Sequence, residues 1–181
     1  RESLVFRSMI LSTGVYYCVS AICAERAGFT SISISGAAVS ASLLGYPDVG
    51  LLTLTESVNH ARHIARSVDI PVLVDADTGY GNALNVMRTV REFEDAGLAG
   101  ISIEDQTFPK RCGHYDGIPL IPASEMALKV GAACDARRDG NFVIIARTDA
   151  RSVDGLDAAI ERACLYAEHG ADMIFVESLA N

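Results

Sequence analysis

The sequence predicts an α/β fold in which about six β/α units form an incomplete (β/α)8 barrel of the TIM type. Short apolar strand candidates alternate with longer amphipathic segments, and continuous apolar strands are typical of a parallel sheet covered on both faces. A doubly wound sheet would also fit this alternation, but no Gly-x-Gly-x-x-Gly motif follows the first strand. The barrel is favoured because its strands all deliver side chains to one C-terminal mouth. Polar residues recur at the predicted strand ends: Ser35, Asp75, Glu104, Arg147 and Glu177.

Hydrophobic spacing and helix-breaking residues place the elements in the first half of the chain. Short apolar runs predict strands, apolar residues three or four apart predict helices, and Gly28 ends the first helix. The predicted order is a strand at 9–11 that leads through Gly14 into a helix at 15–27, a strand at 31–34, a helix at 54–68 with Thr55 as its N-cap, and a strand at 70–74.

The second half of the chain continues the same pattern. One face of a predicted helix at 83–96 carries Val86, Val90 and Phe93, and Gly97 follows the end of this helix. The remaining predicted elements are a strand at 100–103, a helix at 124–138, a strand at 142–146, a helix at 156–169 and a strand at 173–176.

The length of the chain bounds its domain organisation. No linker or change in composition divides the sequence, so we expect one α/β-barrel domain over residues 1–181. A complete (β/α)8 barrel takes about 250 residues, whereas this chain ends after the sixth predicted strand. We therefore expect a fragment of a longer protein, without the C-terminal strands and helices of the barrel.

Composition and charge exclude several classes of protein. The chain has 15 Lys+Arg and 23 Asp+Glu, a net charge of −8, and it lacks the basic run expected of a nucleic-acid binder. No uncharged apolar run is long enough to span a membrane, and the first residues lack a signal-peptide pattern. We therefore expect a soluble cytoplasmic protein, or a mitochondrial-matrix protein if its source is eukaryotic.

Five cysteines are present without a Cys-x-x-Cys pair or a zinc-site spacing. Four of them lie among alanines and aliphatic residues, and we expect these to be buried small side chains. These four are Cys18, Cys23, Cys134 and Cys164.

Four acids could form a metal site at the predicted mouth. Asp75 and Asp77 lie two residues apart at a strand end, where side chains share a face. Paired carboxylates repel each other unless a cation or a proton lies between them, and oxygen ligands suit Mg²⁺. Glu104 follows the next predicted strand, and Asp48 follows a proline. The alternative is that these acids are helix caps and solvated turn residues.

The segment Lys110-Arg111-Cys112-Gly113-His114 lies between a strand and a helix. A thiol flanked by cations is biased toward the thiolate, and a glycine-containing loop can move over a barrel mouth. The alternative is an exposed or redox-sensing cysteine.

Arg147 ends a buried strand candidate. A guanidinium in that position needs an anionic partner, which could be a substrate carboxylate. An internal salt bridge to Asp149 or Glu104 is the alternative.

Six segments resemble the isocitrate lyase/phosphoenolpyruvate mutase superfamily, in order and over essentially the whole chain. The segment 110–114 resembles its carbon–carbon lyase branch, which includes the 2-methylisocitrate lyases. The six segments are Ser35-Gly36, Leu44-Gly45-Tyr46-Pro47-Asp48, the residues 75–81, Ile103-Glu104-Asp105-Gln106, Pro109-Lys110-Arg111-Cys112-Gly113-His114 and Ala146-Arg147-Thr148-Asp149-Ala150.

The resemblance implies a Mg²⁺-dependent α/β-barrel enzyme, with Mn²⁺ as an alternative ion, that forms a homotetramer at full length. Asp75 would contact the metal most directly, and three further carboxylates would hold its waters: Asp48, Asp77 and Glu104. The implied substrate-binding residues are Ser35, Gly36, Ala37, Arg147 and Glu177. The implied catalytic residues are Cys112 as the proton donor on a gating loop, with Lys110, Arg111 and His114 tuning it or gripping a second carboxylate.

The resemblance implies cleavage of 2-methylisocitrate or a related 2-alkylmalate to pyruvate, or another 2-oxoacid, and a carboxylate such as succinate. One alternative is an oxaloacetate decarboxylase or a phosphonomutase-type enzyme of the same superfamily. Another is a non-catalytic carboxylate-binding paralogue, for which three departures from the family pattern speak: Tyr17, Ser33 and Ser102.

Overall fold

A computed structural model describes residues 9–115 and 117–179. Its six strands form one parallel sheet in the order β1-β2-β3-β4-β5-β6. This sequential order confirms the curled, barrel-type sheet, because a doubly wound sheet reverses its strand order part-way. The strands are β1 (Ser12–Val15), β2 (Ser31–Ile34), β3 (Val72–Asp75), β4 (Gly100–Glu104), β5 (Val143–Thr148) and β6 (Met173–Val176).

Helices connect the successive strands and cover the outer face of the sheet. They are α1 (Cys18–Arg26), α2 (Gly36–Val39), α3 (Leu54–Ala65), α4 (Ala83–Asp95), α5 (Ala123–Ala136), α6 (Ala150–Val153) and α7 (Leu156–Glu168). A π-helical turn, Ser40–Leu44, continues α2. The four predicted helices from α3 onward that exceed two turns are confirmed, whereas α2, its π-helical turn and α6 were not predicted.

The predicted start of the chain is wrong in register. The first strand is Ser12–Val15 rather than 9–11, and α1 begins at Cys18 rather than at Val15. Met9 and Leu11 are 91% and 63% exposed, whereas Val15 is 1% exposed and pairs with Ile34 of β2. Pairing with β2 therefore determines which residues form β1, and the preceding apolar run lies outside the strand.

The predicted N-cap of α3 is also wrong by two residues. Thr53, not Thr55, caps this helix: its hydroxyl accepts a hydrogen bond from Glu56 N at 3.3 Å, and Glu56 Oε2 accepts one from Thr53 N at 2.9 Å. A threonine followed three residues later by glutamate forms this reciprocal capping box, whereas Thr55 has no such partner in sequence.

Residues on the two faces of the sheet alternate between the core and a cavity. The outward residues Ile32, Val74, Ile101 and Ile144 are 0–1% exposed in the helix-covered core. The other face lines a cavity of about 300 Å³ whose walls include Ser33, Asp75, Ser102, Arg147 and Phe175. The polar strand ends therefore meet at one mouth, as the sequence predicts.

The cysteine prediction is wrong for two residues and holds only in part for the others. Cys23 and Cys164 are exposed, and Cys18 and Cys134 are half-buried. On α1 the buried positions are Ala21 and Ala24, so Cys23 lies on the other side of that helix.

Among the residues described, no helix combines the length and the apolar character needed to cross a bilayer.

Candidate active site

Asp75 and Asp77 both lie beside Gly36, so they share a space as predicted, but not by alternation along a strand, because β3 ends at Asp75 and Asp77 follows in a turn. A Cβ at Gly36 would lie 3.0 Å from Asp75 Oδ2 and 3.3 Å from Asp77 Oδ1. The glycine thus leaves room for both carboxylates. Asp77 is 6% exposed and adopts a left-handed backbone conformation with φ 49°, which is uncommon for a residue with a side chain.

Lys110 lies inside this group of acids. Its Nζ lies 2.8 Å from Asp48 Oδ2, 2.9 Å from Asp77 Oδ1 and 3.6 Å from Glu104 Oε1, and the lysine is 2% exposed. The structure therefore brings together Asp48, Asp77 and Glu104 around one ammonium. We call these residues, with Asp75, the acid cluster.

Burial and mutual repulsion shift the titration of the acid cluster. Burial and the neighbouring Asp75 raise the pKa of Asp77 to about 6, although Lys110 opposes the shift. Burial also raises the pKa of Glu104 well above its usual range. For Lys110, burial disfavours the charge, but the carboxylates of Asp75, Glu104, Asp77 and Asp48 outweigh it and raise the pKa, so the lysine stays charged.

The donor atoms of the acid cluster fit a divalent cation. Asp77 Oδ1 and both carboxylate oxygens of Glu104 are buried, and their side-chain partners among the described residues are cations: Lys110 Nζ lies 2.9 Å from Asp77 Oδ1 and 3.6 Å from Glu104 Oε1, and Arg147 Nε lies 3.6 Å from Glu104 Oε2. Within residues 9–115 and 117–179, no three His, Cys, Asp or Glu side chains are placed to bind one ion directly. Mg²⁺ usually takes one or two carboxylates and keeps several waters. The carboxylates of Asp75 and Asp77 beside Gly36, with Glu104 nearby, therefore suit an ion held partly through water.

The raised pKa of Asp77 predicts how stability depends on pH in the metal-free protein. A folded-state pKa of about 6 lies above the usual value for an unfolded Asp, about 3.9, so the folded state binds the extra proton between these values. This contribution to the free energy of unfolding is present below about pH 4 and is lost as the pH rises through 6, with a slope of at most about 1.4 kcal/mol per pH unit.

Urea denaturation with a chelator at pH 4, 5, 6 and 7 measures this effect by comparing the protein with Asp77→Asn. The difference in free energy of unfolding should move in favour of Asp77→Asn as the pH rises. A difference that stays constant from pH 4 to 7 would contradict the raised pKa.

Arg147 is surrounded by carboxylates at the end of β5. Its guanidinium contacts Asp149 Oδ1 at 2.8 Å, Glu177 Oε2 at 3.1 Å and Glu104 Oε2 at 3.6 Å. Its Cζ lies 5.4 Å from the centroid of the Phe175 ring. The internal salt bridges considered from sequence are therefore present, and Glu177 joins them. Arg147 also borders the cavity, where a bound carboxylate could approach it.

Gly113 places the 110–114 loop directly over Arg147. A Cβ at Gly113 would lie 2.2 Å from Arg147 Nη2, 2.6 Å from Asp149 Oδ1 and 2.8 Å from Glu177 Cγ. Ser178 Oγ donates a hydrogen bond to Gly113 O at 3.2 Å. The loop thus covers the mouth in this structure, and it does so because residue 113 lacks a side chain.

The other predicted loop residues lie around this contact with different exposures. Cys112 is half-buried, whereas Arg111 and His114 are exposed. Arg111 N donates a hydrogen bond to Gln106 Oε1 at 2.9 Å. The catalytic roles assigned to Cys112, Lys110, Arg111 and His114 stay predictions.

The Ser35-Gly36-Ala37 turn begins α2 next to the acid cluster. Ser35 Oγ accepts a hydrogen bond from Ala38 N at 3.3 Å, and Ser35 lines the cavity with Asp75 and Arg147. Of the three departures from the family pattern, Ser33 and Ser102 also line this cavity. Tyr17 precedes α1 and is 42% exposed.

Asp105, which follows Glu104 in the sequence, supports the site in a way that the sequence did not indicate. Asp105 is fully buried and accepts hydrogen bonds from Thr148 Oγ1, Tyr166 Oη and Arg162 Nη1, at 2.7, 2.7 and 3.1 Å. It also accepts one from Asp149 N at 3.0 Å, which ties it to the arginine-binding aspartate. The sequence feature that could have indicated this role is the position of Asp105 directly after Glu104, at the end of β4.

The sheet order and the ion pairs at the strand ends define the class of this protein. It is an α/β-barrel protein with a site of carboxylates and cations at the C-terminal ends of its strands. The family profile of phosphoenolpyruvate phosphomutase matches residues 4–181. The chain belongs to this family and thereby to the PEP mutase/isocitrate lyase superfamily, which confirms the resemblance found in the sequence.

Known proteins are similar to this chain in sequence and in fold. The chain is 51% identical over 181 residues to 2-methylisocitrate lyase of Aeropyrum pernix, covering 100% of this chain and 58% of the relative. The crystal structure of 2,3-dimethylmalate lyase matches with a TM-score of 0.92 and 37% identity, over 96% of this chain and 59% of that one. A crystal structure of phosphonopyruvate hydrolase with oxalate and Mg²⁺ matches with a TM-score of 0.85 and 39% identity, over 92% and 57%.

The chain spans between a half and two thirds of the length of the curated relatives it matches, 50–62% in the first three. These relatives and structures include both carbon–carbon lyases and enzymes with phosphonate substrates. Membership of the superfamily is therefore established, and the particular reaction is a matter for proposal.

Proposed function

We propose that this chain forms part of a Mg²⁺-dependent carbon–carbon lyase that cleaves 2-methylisocitrate or a related 2-alkylmalate. The products would be pyruvate, or another 2-oxoacid, and a carboxylate such as succinate. The observation that carries the proposal is the placement of Gly113, the residue after Cys112, over Arg147, whose guanidinium lies 3.6 Å from Glu104 of the acid cluster. Relatives that are named 2-methylisocitrate lyase and 2,3-dimethylmalate lyase support it further.

Charge balance supports a divalent cation at the acid cluster. When ionised, the four carboxylates carry four negative charges. Lys110 supplies one positive charge 2.8–3.6 Å from Asp48, Asp77 and Glu104, and Arg147 supplies a second 3.6 Å from Glu104, which leaves an excess of two negative charges. Asp75 and Asp77 would hold the ion beside Gly36, with Asp48 and Glu104 holding its waters. Mg²⁺, when bound, supplies Lewis-acid stabilisation of negative charge on a substrate oxygen.

Arg147 would bind and orient the substrate. A fixed guanidinium recognises a carboxylate through two parallel hydrogen bonds, and Glu104, Asp149 and Glu177 hold this one in place. Ser35 of the Ser35-Gly36-Ala37 turn borders the same cavity, and this turn would contact the other end of the 2-oxoacid fragment.

Cys112 would protonate the leaving fragment. As the bond between the hydroxyl-bearing carbon and its neighbour breaks, the hydroxyl would pass its proton to a carboxylate of the acid cluster and become a carbonyl. The bonding electrons then remain on the neighbouring carbon. The Cys112 thiol, on the loop that carries Gly113, would donate a proton to this carbanion as a general acid. The closed loop also excludes water from the reacting atoms.

The first test is pyruvate release from 2-methylisocitrate, 2,3-dimethylmalate and oxaloacetate by the longest natural form of the protein, before and after removal of Mg²⁺ with a chelator. Turnover of a tricarboxylate or alkylmalate that stops without Mg²⁺ is the expected result. Turnover of oxaloacetate alone would overturn the proposal in favour of a decarboxylase. Binding without turnover of any substrate would favour the carboxylate-binding paralogue.

Gly113→Ala is expected to keep the fold and to lower kcat by about 10²-fold, because a methyl group cannot enter the space above Arg147 and displacement by about 1 Å is enough for such a loss. Gly131→Ala is the matched control, since a Cβ at Gly131 on α5 meets nothing within 4 Å. The measurement is kcat and KM alongside urea denaturation. Equal kcat in the two variants would contradict closure of the loop over Arg147.

We further propose a homotetramer at full length, located in the cytoplasm or, in a eukaryote, in the mitochondrial matrix. Its partner would be a small di- or tricarboxylate rather than nucleic acid or a membrane. Light scattering coupled to size-exclusion chromatography measures the number of subunits, and a monomer at full length would contradict the tetramer.

A further inference from the structure

The turn that carries Asp77 has an unusual backbone that other parts of the chain hold in place. Asp77 has φ 49° and Gly79 has φ 81°, both in the left-handed region. A Cβ at Gly79 would lie 2.5 Å from Val86 Cγ2, so the turn also packs tightly against α4. A residue such as Asp77 keeps this conformation only if its surroundings stabilise it.

Three consecutive carbonyl oxygens of this turn accept hydrogen bonds. Asp77 O accepts one from Glu104 N at 2.9 Å, and Gly79 O accepts one from Thr89 Oγ1 at 3.0 Å. Between them, Thr78 O accepts one from Lys129 Nζ. The last two donors come from the outer helices α4 and α5, on the side of the turn away from the cavity.

Lys129 is a costly residue for that position. It is 3% exposed, and none of the ion pairs found among residues 9–115 and 117–179 includes it. Burial lowers the pKa of this ammonium group. A methionine would fill a similar volume in this buried position of α5 without a desolvation penalty. The lysine's specific contribution is therefore its hydrogen bond to the turn.

We propose that Lys129 and Thr89 are positioning residues that hold the 77–79 turn so that Asp75 and Asp77 face a common cation. The inference rests on the proposed function, in that the cation is taken to be divalent. Loss of either donor releases a carbonyl of the turn, lets Asp77 relax toward an ordinary backbone conformation and moves its carboxylate away from the Gly36 space. Partners that orient ligating carboxylates typically affect metal affinity 10- to 100-fold.

The test measures Mn²⁺ affinity by isothermal titration calorimetry, without substrate, on the longest natural form of the protein. Lys129→Met and Thr89→Val remove the donors and keep the side-chain size, and each should weaken Mn²⁺ binding about 10- to 100-fold. Thr89→Ser keeps the hydroxyl and should bind like the unmodified protein. Val130→Ala opens a space in the core next to Lys129, and it should lower stability without changing the affinity.

The outcomes distinguish failure of the positioning role of Lys129 and Thr89 from failure of the proposed function. Unchanged affinity in Lys129→Met and Thr89→Val, with binding intact in the unmodified protein, overturns the inference and leaves the proposed function standing. Weakening in Val130→Ala equal to that in Thr89→Val also overturns it, because general loosening would then suffice. Absence of Mn²⁺ binding in the unmodified protein overturns both. If Lys129→Met does not fold, the Thr89→Val and Thr89→Ser pair decides.

Discussion

Replacing Cys112 by serine is expected to lower the rate of carbon–carbon cleavage by about 10²- to 10⁴-fold, the usual contribution of general acid catalysis. Serine keeps the size of the side chain but is a far weaker acid than a thiol. Cys112 is half-buried on the loop that Gly113 places over Arg147, so the substitution changes the proton donor and leaves the loop contact intact. KM should therefore change much less than kcat.

Cys23→Ser is the matched control, because Cys23 is an exposed cysteine on α1. It should retain full turnover. The measurement is pyruvate release from 2-methylisocitrate and 2,3-dimethylmalate by both variants, with oxaloacetate as a third substrate. Equal losses in the two variants would indicate a general effect of removing a thiol.

Oxaloacetate turnover that survives in Cys112→Ser would have a different meaning. Decarboxylation needs no proton from this loop at the same carbon, so that result would contradict the lyase assignment and favour the alternative within the superfamily. The same pair of variants thus tests the residue and the reaction class together.

The barrel order and the residues at the strand ends could be predicted from the sequence because both depend on local pattern. Parallel strands in sequential order bring their carboxyl ends to one mouth. Asp75, Glu104 and Arg147 each lie at such a strand end, so they come close together at that mouth. The beginning of β1 could not be predicted, since the apolar run at 9–11 has the stronger strand pattern and only pairing with β2 selects Ser12–Val15.

Long-range contacts in the site could not be predicted for a related reason. The sequence shows that the loop is cationic, but it does not show that Lys110 reaches Asp48, 62 residues earlier in the chain. Lys129 gave a weak signal, because its spacing from Met126 and Ala133 places it on the buried face of α5. Its partner is a backbone carbonyl, which no side-chain pattern reveals.

Lys110→Met is expected to lower the free energy of unfolding of the metal-free protein at pH 7 by about 3–5 kcal/mol, the cost of breaking a buried ion pair by removing one partner. Lys110 is 2% exposed and is the ammonium that Asp48, Asp77 and Glu104 share. Methionine fills a similar volume, so the loss reflects the uncompensated carboxylates rather than a cavity. Lower pH should recover part of the stability, because protonation relieves their repulsion.

Arg88→Met makes the same change in net charge at the surface. Arg88 pairs with Glu92 on α4, with its side chain 67% exposed, and such pairs contribute at most about 1 kcal/mol. Urea denaturation of both variants with a chelator, and again with Mg²⁺, measures the difference. A Lys110→Met variant as stable as Arg88→Met would place the lysine outside the acid cluster.

Added Mg²⁺ should restore stability to Lys110→Met more than to the unmodified protein. An ion that binds only the folded state stabilises it by about 2.7 kcal/mol at 100 times its Kd, and removal of the competing ammonium leaves the carboxylates free to bind it more tightly. The lysine and the metal would then act as alternative counter-charges for the same oxygens. Equal stabilisation of the two proteins by Mg²⁺ would instead mean that the ion and the ammonium occupy independent sites.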